Sequence, residues 1–355
     1  MTKQLIESNE LTRLLEPQNY CGIILVDGKY MAVKDLSEET KTSKIHGHIP
    51  SPGRPRGKTK KGLVIIPFID YESHDIPIYI IAASENGFEI GEGFEQLKAM
   101  GYPLRAVVCD ESMGEIAQVA KNVYPDVVVQ LCLTHYGKCI EREFTVNHVK
   151  RAIKKLERKL VKLGGGIFIP TRHYDLERAV KWTNELANLE FEYDVLIGLQ
   201  SIFQEIFWRA KTEDELSRAE NRMNELLSFV NFKTHPHAGK IKKRYLDYYE
   251  KREMITASIR NPDLKIPKTT NLIEGFNSTT LELRLSSIRG FKKEEAARNY
   301  INALILKYRF HKFTDCKEPF KHLNKRSPIE ITNPTHNFKN LRTKDWVELC
   351  RKLKK

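Results

Sequence analysis

The amino-acid sequence predicts an α/β fold in which a mixed five-stranded sheet, flanked by helices, is interrupted by a large all-helical insertion. Short segments rich in Ile, Val, Phe and Tyr, bounded by Gly, Pro or Asp, lie within residues 21–133. Helical periodicity alternates with these segments from residue 87 onward. Between residues 142 and 265, helix formers recur at helical spacing and β-branched runs are scarce. Together these observations predict the fold class.

The first three predicted strands span residues 21–33, 63–71 and 78–84. Each is rich in β-branched or aromatic residues, and loops connect them, which is typical of an antiparallel meander. Asp27 lies in the first of these strands, directly after an apolar run that begins at Cys21. This acid is therefore expected to be held rigidly by a buried strand.

The next elements alternate between helix and strand, over residues 87–100, 105–109, 115–123 and 127–133. Strands that are separated by helices are usually parallel neighbours. Three antiparallel strands followed by this alternation describe a ribonuclease H-like sheet, with the first strand in the centre and the fourth beside it. Because Asp110 ends the fourth strand, the prediction places Asp27 and Asp110 side by side.

The insertion is predicted to contain five helices, over residues 142–163, 176–188, 195–211, 213–229 and 240–256. A later helix over residues 293–310 is expected to pack behind the sheet. The prediction divides the chain into five regions: a short N-terminal segment (1–20), the first part of the core (21–141), the insertion (142–265), the C-terminal core helices (266–313) and a basic tail (314–355).

Composition favours a polyanionic partner. The chain of 355 residues carries 59 Lys and Arg against 46 Asp and Glu, a formal net charge of +13. The first 16 residues are polar and no apolar run reaches membrane-spanning length, so we expect a cytoplasmic, nucleoid-associated protein without a membrane partner. Six scattered cysteines without a paired CxxC motif give little support to a zinc site, and disulfides are not expected.

Three carboxylates carry the predicted chemistry: Asp27, Asp110 and Glu274. The first two follow buried strands and the third lies in a helix, so folding could bring all three to one pocket. Carboxylate oxygens are hard ligands, and such a set can hold two Mg²⁺ (or Mn²⁺) ions for phosphoryl transfer on nucleic acid. Each acid alone would be read as an ordinary solvated side chain. Asp70 and Glu111 compete for the same role but lie outside any matching motif.

The helix of Glu274 has two predicted faces. At 100° per residue, the polar arc contains Asn271, Glu274, Asn277, Ser278 and Arg284. The apolar arc roughly opposite contains Leu272, Ile273, Phe276, Thr280 and Leu283. The apolar arc is expected to pack and the polar arc to face the acids.

These residues resemble the Mutator-like transposases of insertion sequences, which are DDE-type enzymes with a helical insertion between the second and third acids. The resemblance covers roughly residues 21–313. Its motifs are Val26-Asp27-Gly28, Cys109-Asp110, Cys132-Leu133-Thr134-His135, and the run from Thr269 to Asn277 with Arg284 and Gly290-Phe291 beyond. It implies a ribonuclease H-like core that cuts DNA at transposon ends and joins the freed 3′-hydroxyl to target DNA.

The resemblance also assigns roles to single residues. Asp27, Asp110 and Glu274 are the implied catalytic residues and metal ligands. The implied supporting residues are Cys132, His135, Asn271 and Asn277, and Arg284 is expected to contact DNA. A buried cysteine and a satisfied histidine remain an equally good interpretation of Cys132 and His135. A self-associating enzyme is expected, because transposases generally pair two DNA ends within an oligomer.

Similar transposases usually carry a sizeable DNA-binding region before the first acid, whereas about twenty residues precede Cys21 here. We therefore expect either a separate recognition subunit or a truncated or repurposed copy. Two other functions stay open: a ribonuclease H-like nuclease or resolvase, and a domesticated DNA-binding protein without catalysis.

The segment 41–62 contains seven Lys or Arg and no acid. Its Gly-Arg-Pro sequence resembles an AT-hook, which fits a narrow minor groove. The predicted DNA-binding residues are Arg54, Arg56, Lys58, Lys60 and Lys61. The alternative is a solvated basic linker. The basic helix within 142–163 has the same two interpretations, a DNA contact or a solvated face.

Overall fold

The computed structural model describes residues 5–16, 19–37, 62–110, 114–164, 173–230, 238–288, 290–335 and 345–354. The chain forms two compact units. The first comprises Met1–Cys132 with Leu264–Lys355, and the second comprises Leu133–Asp263. The insertion is predicted to begin at residue 142, and the second unit begins earlier, at Leu133.

Seven strands form one mixed sheet among the described residues of the first unit: β1 (Ile23–Val26), β2 (Lys29–Asp35), β3 (Gly62–Asp70), β4 (Ile78–Ala82), β5 (Ala106–Cys109), β6 (Val128–Leu131) and β7 (Phe291–Lys293). Their order is β6-β5-β1-β3-β2-β7, with β4 also paired to β3. β3 is antiparallel to β1, β2 and β4, and the pairs β1–β5, β5–β6 and β2–β7 are parallel. The predicted α/β class and mixed sheet are confirmed.

The prediction of five strands is wrong for two reasons. The strand predicted over 21–33 is divided into β1 and β2 at Asp27 and Gly28, although both halves keep one register against β3, with Val26 opposite Phe68 and Lys29 opposite Ile65. The second addition is β7, which has three residues and is defined by its pairing with β2. Such a short strand leaves no periodic pattern in the sequence.

Helices make up most of the other described residues in both units. Those before and after the second unit are α1 (Ser8–Leu15), α2 (Gly87–Ala99), α3 (Gly114–Val123), α11 (Asn271–Phe276), α12 (Leu283–Ile288), α13 (Glu294–Phe310), α14 (Pro328–Thr332) and α15 (Asp345–Lys352). Those of the second unit are α4 (Leu133–Phe144), α5 (Val146–Gly164), α6 (His173–Gln204), α7 (Glu213–Ser228), α8 (Ala238–Glu250), α9 (Arg252–Ile255) and α10 (Ala257–Arg260). A π-helical segment, Asn277–Glu282, joins α11 to α12.

Helices cover both faces of the sheet because successive residues of a strand point to opposite sides. All of β3 is buried. Its Ile65 belongs to the same core cluster as Ile301 of α13, while its Phe68 meets Phe94 of α2 edge-to-face with ring centroids 5.3 Å apart. The helix predicted behind the sheet is therefore α13.

Strand β4 is paired on one side by β3, and side chains from two helices occupy its other edge. The Asn9 side chain donates to the Tyr79 carbonyl and accepts from the Tyr79 amide, at 2.9 and 3.0 Å. Arg298 donates to the Ile81 carbonyl at 3.1 Å. Backbone groups of an edge strand that are satisfied in this way no longer offer a template for pairing with another chain.

A fully buried ion pair joins the segment after β3 to α13. Arg309 donates to both carboxylate oxygens of Asp75, at 2.8 and 2.9 Å, and both side chains are 0% exposed. The same guanidinium donates to Ser8 and Thr12 of α1, and Thr332 of α14 donates to Asp75. Four segments are thereby held around one pair of charges.

The ends of the first unit pack together. The Ile6 amide donates to the Cys350 carbonyl at 3.1 Å. Leu11, Leu306 and Cys350 share a small apolar cluster. The region predicted as a basic tail, 314–355, therefore contributes α14 and α15 to this unit. All six cysteines are free.

The second unit differs from the predicted helices in two places. One helix, α6, runs through residues 189–194, where the prediction separates two helices; the stretch contains neither Gly nor Pro, so nothing ends the helix. Conversely, the helix predicted over 142–163 is interrupted at Thr145, which has a φ of +48° and separates α4 from α5.

Every helix in the part of the chain that the structure describes is too short or too polar to traverse a lipid bilayer.

The buried ion pair yields a stability prediction. Asp75→Asn leaves Arg309 buried without its counter-charge, and we expect the free energy of unfolding to fall by about 3 to 5 kcal/mol, measured by urea titration with circular dichroism. The matched control is Glu348→Gln, which breaks an exposed, solvent-screened pair with Lys352 and should leave the free energy of unfolding almost unchanged. Equal losses in the free energy of unfolding would show that the buried pair stabilises the fold no more than the exposed pair does.

Candidate functional site

Strand pairing determines where Asp27 and Asp110 lie. β1 and β5 are parallel, with Ile23 beside Ala106 and Leu25 beside Val108. The same register, continued two residues further, places Asp27 beside Asp110. Both acids are partly exposed, whereas β1 and β5 themselves are completely buried. The two carboxylates therefore lie next to each other at the surface, and each directly follows a buried strand.

The neighbour of the central strand changes at this point. β5 pairs along β1, whereas β7 pairs with β2 at Val33 and Asp35. Because β3 occupies the opposite side of both β1 and β2, β5 and β7 must lie on the same side. Asp27 is thus located at the break in the strand, where the ladder to β5 ends.

Glu274 is connected to the end of β5 by hydrogen bonds. The Thr270 hydroxyl lies 3.0 Å from Glu274 Oε1 and 3.2 Å from Cys132 Sγ. The carboxylate is the stronger acceptor, so the hydroxyl donates to it and can accept the thiol proton. The Cys132 amide in turn donates to the Cys109 carbonyl at 2.7 Å, one residue before Asp110.

A second hydrogen bond links the same segment to Asp27. Asn277 follows Glu274 by three residues, and its side-chain amide donates to Asp27 Oδ2 at 2.9 Å. Asn277 is only 5% exposed. The segment that carries Glu274 therefore contacts Asp27 directly and reaches the strand end of Asp110 through Thr270 and Cys132.

The prediction that Leu283 packs is wrong, because the helix does not keep α-helical phase. After α11, residues 277–282 form a π-helix, which adds one residue to a turn and rotates everything that follows. Ile273, Phe276 and Leu281 are buried, whereas Leu283 is 62% exposed. A strict 100° step cannot describe both sides of such an insertion.

A fourth acid, Glu85, lies beside the first two and was not among the predicted site residues. Burial first, and then the charges of Asp27 and Asp110, raise its pKa to about 7, while a backbone hydrogen bond from Gly28 opposes the shift. A Cβ on Gly28 would overlap the Glu85 carboxyl, so glycine permits this close approach. Glu85 Oε1 is buried without a hydrogen-bond partner among the described residues.

A sequence signal for Glu85 existed. It lies three residues after the end of β4 and precedes Asn86, whose side chain accepts from the Glu89 amide and caps α2. An acid between a buried strand and a capped helix occupies the same kind of position as Asp110. What the sequence lacks is any indication that this loop approaches Gly28.

The competing acid Asp70 is buried and hydrogen-bonded within the fold. It is 0% exposed, and its oxygens accept from the Tyr102 hydroxyl at 2.6 Å, from the Ser73 amide and hydroxyl, and from Cys21. Its hydrogen-bonding capacity is used within the fold, so it is a poor metal ligand. Glu111, the other competitor, lies outside the described residues.

The remaining predicted residues are distributed differently. Asn271 and Arg284 are exposed, at the beginning of α11 and in α12. Cys132 ends the first unit, and His135 lies in the first turn of α4, in the second unit. The five predicted AT-hook residues, Arg54, Arg56, Lys58, Lys60 and Lys61, lie outside the described residues.

Four acids of the first unit carry oxygen donors of the kind that hard cations prefer. Asp27, Asp110, Glu85 and Glu274 offer carboxylate oxygens, which are the ligands that Mg²⁺ and Mn²⁺ prefer. Thiol nucleophilic chemistry is disfavoured at Cys109, because burial and the charge of Asp110 raise its pKa to about 12.

Comparison of the sequence with protein-family models gives no match, and comparison with curated proteins gives none.

The raised pKa of Glu85 predicts a pH-dependent stability. Above about pH 4.5, the usual pKa of glutamate, the unfolded chain loses this proton while the folded chain retains it up to about pH 7. The stability that the group contributes is thus complete below pH 4.5 and is lost as the pH rises through 7. In EDTA, Glu85→Gln should gain on the order of 2 kcal/mol relative to wild type between these limits, after allowance for partial exposure.

The measurement is urea unfolding of both proteins across this pH range. Glu92→Gln removes an exposed carboxyl from α2 and serves as the matched control, which should retain the wild-type profile. Parallel profiles for wild type and Glu85→Gln would show that Glu85 does not titrate in this window.

Proposed function

We propose that the protein is a DDE-type transposase, a polynucleotidyl transferase that cuts DNA at transposon ends and transfers the 3′-hydroxyl strand to target DNA with two Mg²⁺ or Mn²⁺ ions. The observation that carries the proposal is the set of hydrogen bonds joining the Glu274 segment to Asp27 and to the end of β5. These bonds support a shared location for the three acids at the C-terminal ends of β1 and β5.

The arrangement of strands supports the finer fold assignment. β4, β3 and the divided strand β1–β2 form an antiparallel meander, and β5 and β6 follow in parallel on its far side. This is the order expected of a ribonuclease H-like core, with Asp27 on the central strand and Asp110 on its parallel neighbour.

The residues present fit divalent cations. Glu85 Oε1 is a buried carboxylate oxygen without a partner among the described residues, and its neighbours Asp27 and Asp110 carry the same charge. Bound ions would satisfy these oxygens, activate the attacking water or 3′-hydroxyl and stabilise the leaving oxyanion.

In this proposal, residues of the chain position the metal-binding carboxylates. Buried strands hold Asp27 and Asp110, and the Asn277 amide fixes the rotamer of Asp27 by its hydrogen bond. Thr270 does the same for Glu274. Hydrogen bonds of this kind orient metal-binding carboxylates. Removing one typically lowers metal affinity or activity by about 10- to 100-fold.

Double-stranded DNA is the proposed substrate, in keeping with the net charge of +13. Self-association belongs to the same proposal. A nuclease or resolvase would share the acids without joining strands, and a domesticated DNA-binding protein would use neither step.

The first test compares Asp110→Asn with wild type. We expect metal-dependent nicking of supercoiled plasmid to fall by roughly a thousandfold or more, because a charged oxygen ligand is lost, while salt-sensitive DNA binding in EDTA persists. Asp126→Asn, the same change at an exposed turn, should nick normally. Nicking by Asp110→Asn at the wild-type rate would refute the site.

Strand transfer separates the enzymatic alternatives. Oligonucleotides with free 3′-hydroxyl ends are incubated with target plasmid and Mg²⁺. Joined products support a transposase, cleavage without joining indicates a nuclease or resolvase, and inactivity of wild type in both assays indicates a non-catalytic binding protein.

The second test concerns Asn277. Asn277→Ala removes the donor to Asp27, so we expect nicking to fall about 10- to 100-fold and the Mg²⁺ concentration for half-maximal nicking to rise. Ser278→Ala, an exposed neighbour whose hydroxyl donates to the Gly275 carbonyl, is the control and should change neither quantity. A lower rate with an unchanged Mg²⁺ requirement would argue against a role in holding Asp27.

A further inference from the structure

The second unit presents a strongly cationic helix surface. α5 buries Val149 and Leu156, each 4% exposed, and so has a packed apolar side. Its exposed side contains seven cations: Lys150, Arg151, Lys154, Lys155, Arg158, Lys159 and Lys162. We refer to these seven residues as the basic face. Glu157 is the single acid in this helix.

The spacing arranges the basic face in two rows. Residues 150, 154, 158 and 162 form one row and residues 151, 155 and 159 form the next, since positions four apart lie on one side of an α-helix. At 100° per residue the seven cover about half of the circumference, and they extend over about 18 Å along the axis. This is a continuous strip of positive charge.

Among the described residues, no carboxylate pairs with the basic face. None of its seven residues forms an ion pair with another described residue, although ion pairs occur elsewhere in the same unit, as between Arg252 and Glu220. Lys159 lies over the ring of Trp182 in α6, with Nζ 5.3 Å from the centroid, and Arg178 lies over the same ring at 5.8 Å. α6 thereby adds a further cation beside the strip.

We infer that the basic face binds the phosphate backbone of a nucleic-acid duplex. Repeated cations along a straight helix match a linear polyanion, and their neutralisation by phosphates would release counterions. An anionic membrane fits less well, because the apolar side of α5 packs within the protein and Val161 is its one large apolar residue that is strongly exposed. The inference deepens the proposed function by adding a DNA contact, yet its evidence comes from the second unit alone.

Binding, rather than activity, tests the inference. A fluorescein-labelled DNA duplex of about 30 bp is titrated with the full chain in EDTA, between about 50 and 300 mM KCl, by fluorescence anisotropy. The test variant combines Lys154→Gln, Arg158→Gln and Lys162→Gln, in which glutamine retains helix propensity. The control combines Lys211→Gln, Lys240→Gln and Lys242→Gln, three exposed cations of the same unit with the same change in charge.

We expect the test variant to bind roughly tenfold or more weakly, and the slope of log affinity against log salt to become shallower by about 2 to 3, near 0.9 for each lost phosphate contact. The control should retain most of the affinity and the slope. Equal losses in the two variants would reduce the effect to net charge and overturn the inference, as would an unchanged test variant whose fold is intact by circular dichroism.

Two further arms identify the source of the phosphates. An RNA duplex of the same length separates general duplex binding from a preference for DNA. Vesicles containing phosphatidylserine test the membrane alternative, and a variant that loses vesicle binding while keeping duplex binding would overturn the inference. Because these assays contain no divalent ion, failure of DNA cleavage leaves their outcome unaffected, and the two proposals can fail separately.

Discussion

The buried pair between Asp75 and Arg309 is the constraint on which the geometry of the first unit depends. Two charges without solvent contact are costly unless hydrogen bonds replace water, and here the bidentate contact is supplemented by donors and acceptors from α1 and α14. The pair fixes the end of α13 to the segment after β3. Since α13 continues directly from β7, and β7 follows the Glu274 segment closely, this anchor limits where the third acid can lie.

The candidate site differs from this buried ion pair because it brings several acids close together. Asp27, Asp110 and Glu85 are acids of the same sign, and the charges of the first two contribute to the raised pKa of the third. The Asn277 amide is a neutral donor to Asp27. The fold relieves part of the repulsion by raising the pKa of Glu85 to about 7, so that this carboxyl keeps its proton longer. A sheet that holds carboxylates close together suits the cation binding proposed above, because a bound cation would reduce their mutual repulsion.

The local sequence pattern predicted where most strands and helices lie. It predicted less well which helix face is buried and which strands or loops become neighbours. Buried β-branched runs indicated β1, β5 and β6 and, through their parallel order, the proximity of Asp27 and Asp110. The sequence could not reveal β7, which exists through its pairing with β2, or the π-helix that exposes Leu283. Glu85 was missed for a related reason: its role depends on an approach to Gly28 across a loop, and such a tertiary contact has no periodic trace.

Affinity for DNA and chemistry on DNA make opposite electrostatic demands. An acidic cluster repels phosphate until cations fill it, so the carboxylates of the first unit cannot by themselves hold the substrate they would cleave. Cations elsewhere on the chain must then supply the attraction, and the seven residues of the basic face offer it without an internal carboxylate partner among the described residues. If both proposals hold, the protein would bind duplexes in the absence of divalent ions yet cleave them only in their presence, so that binding and catalysis can be measured separately.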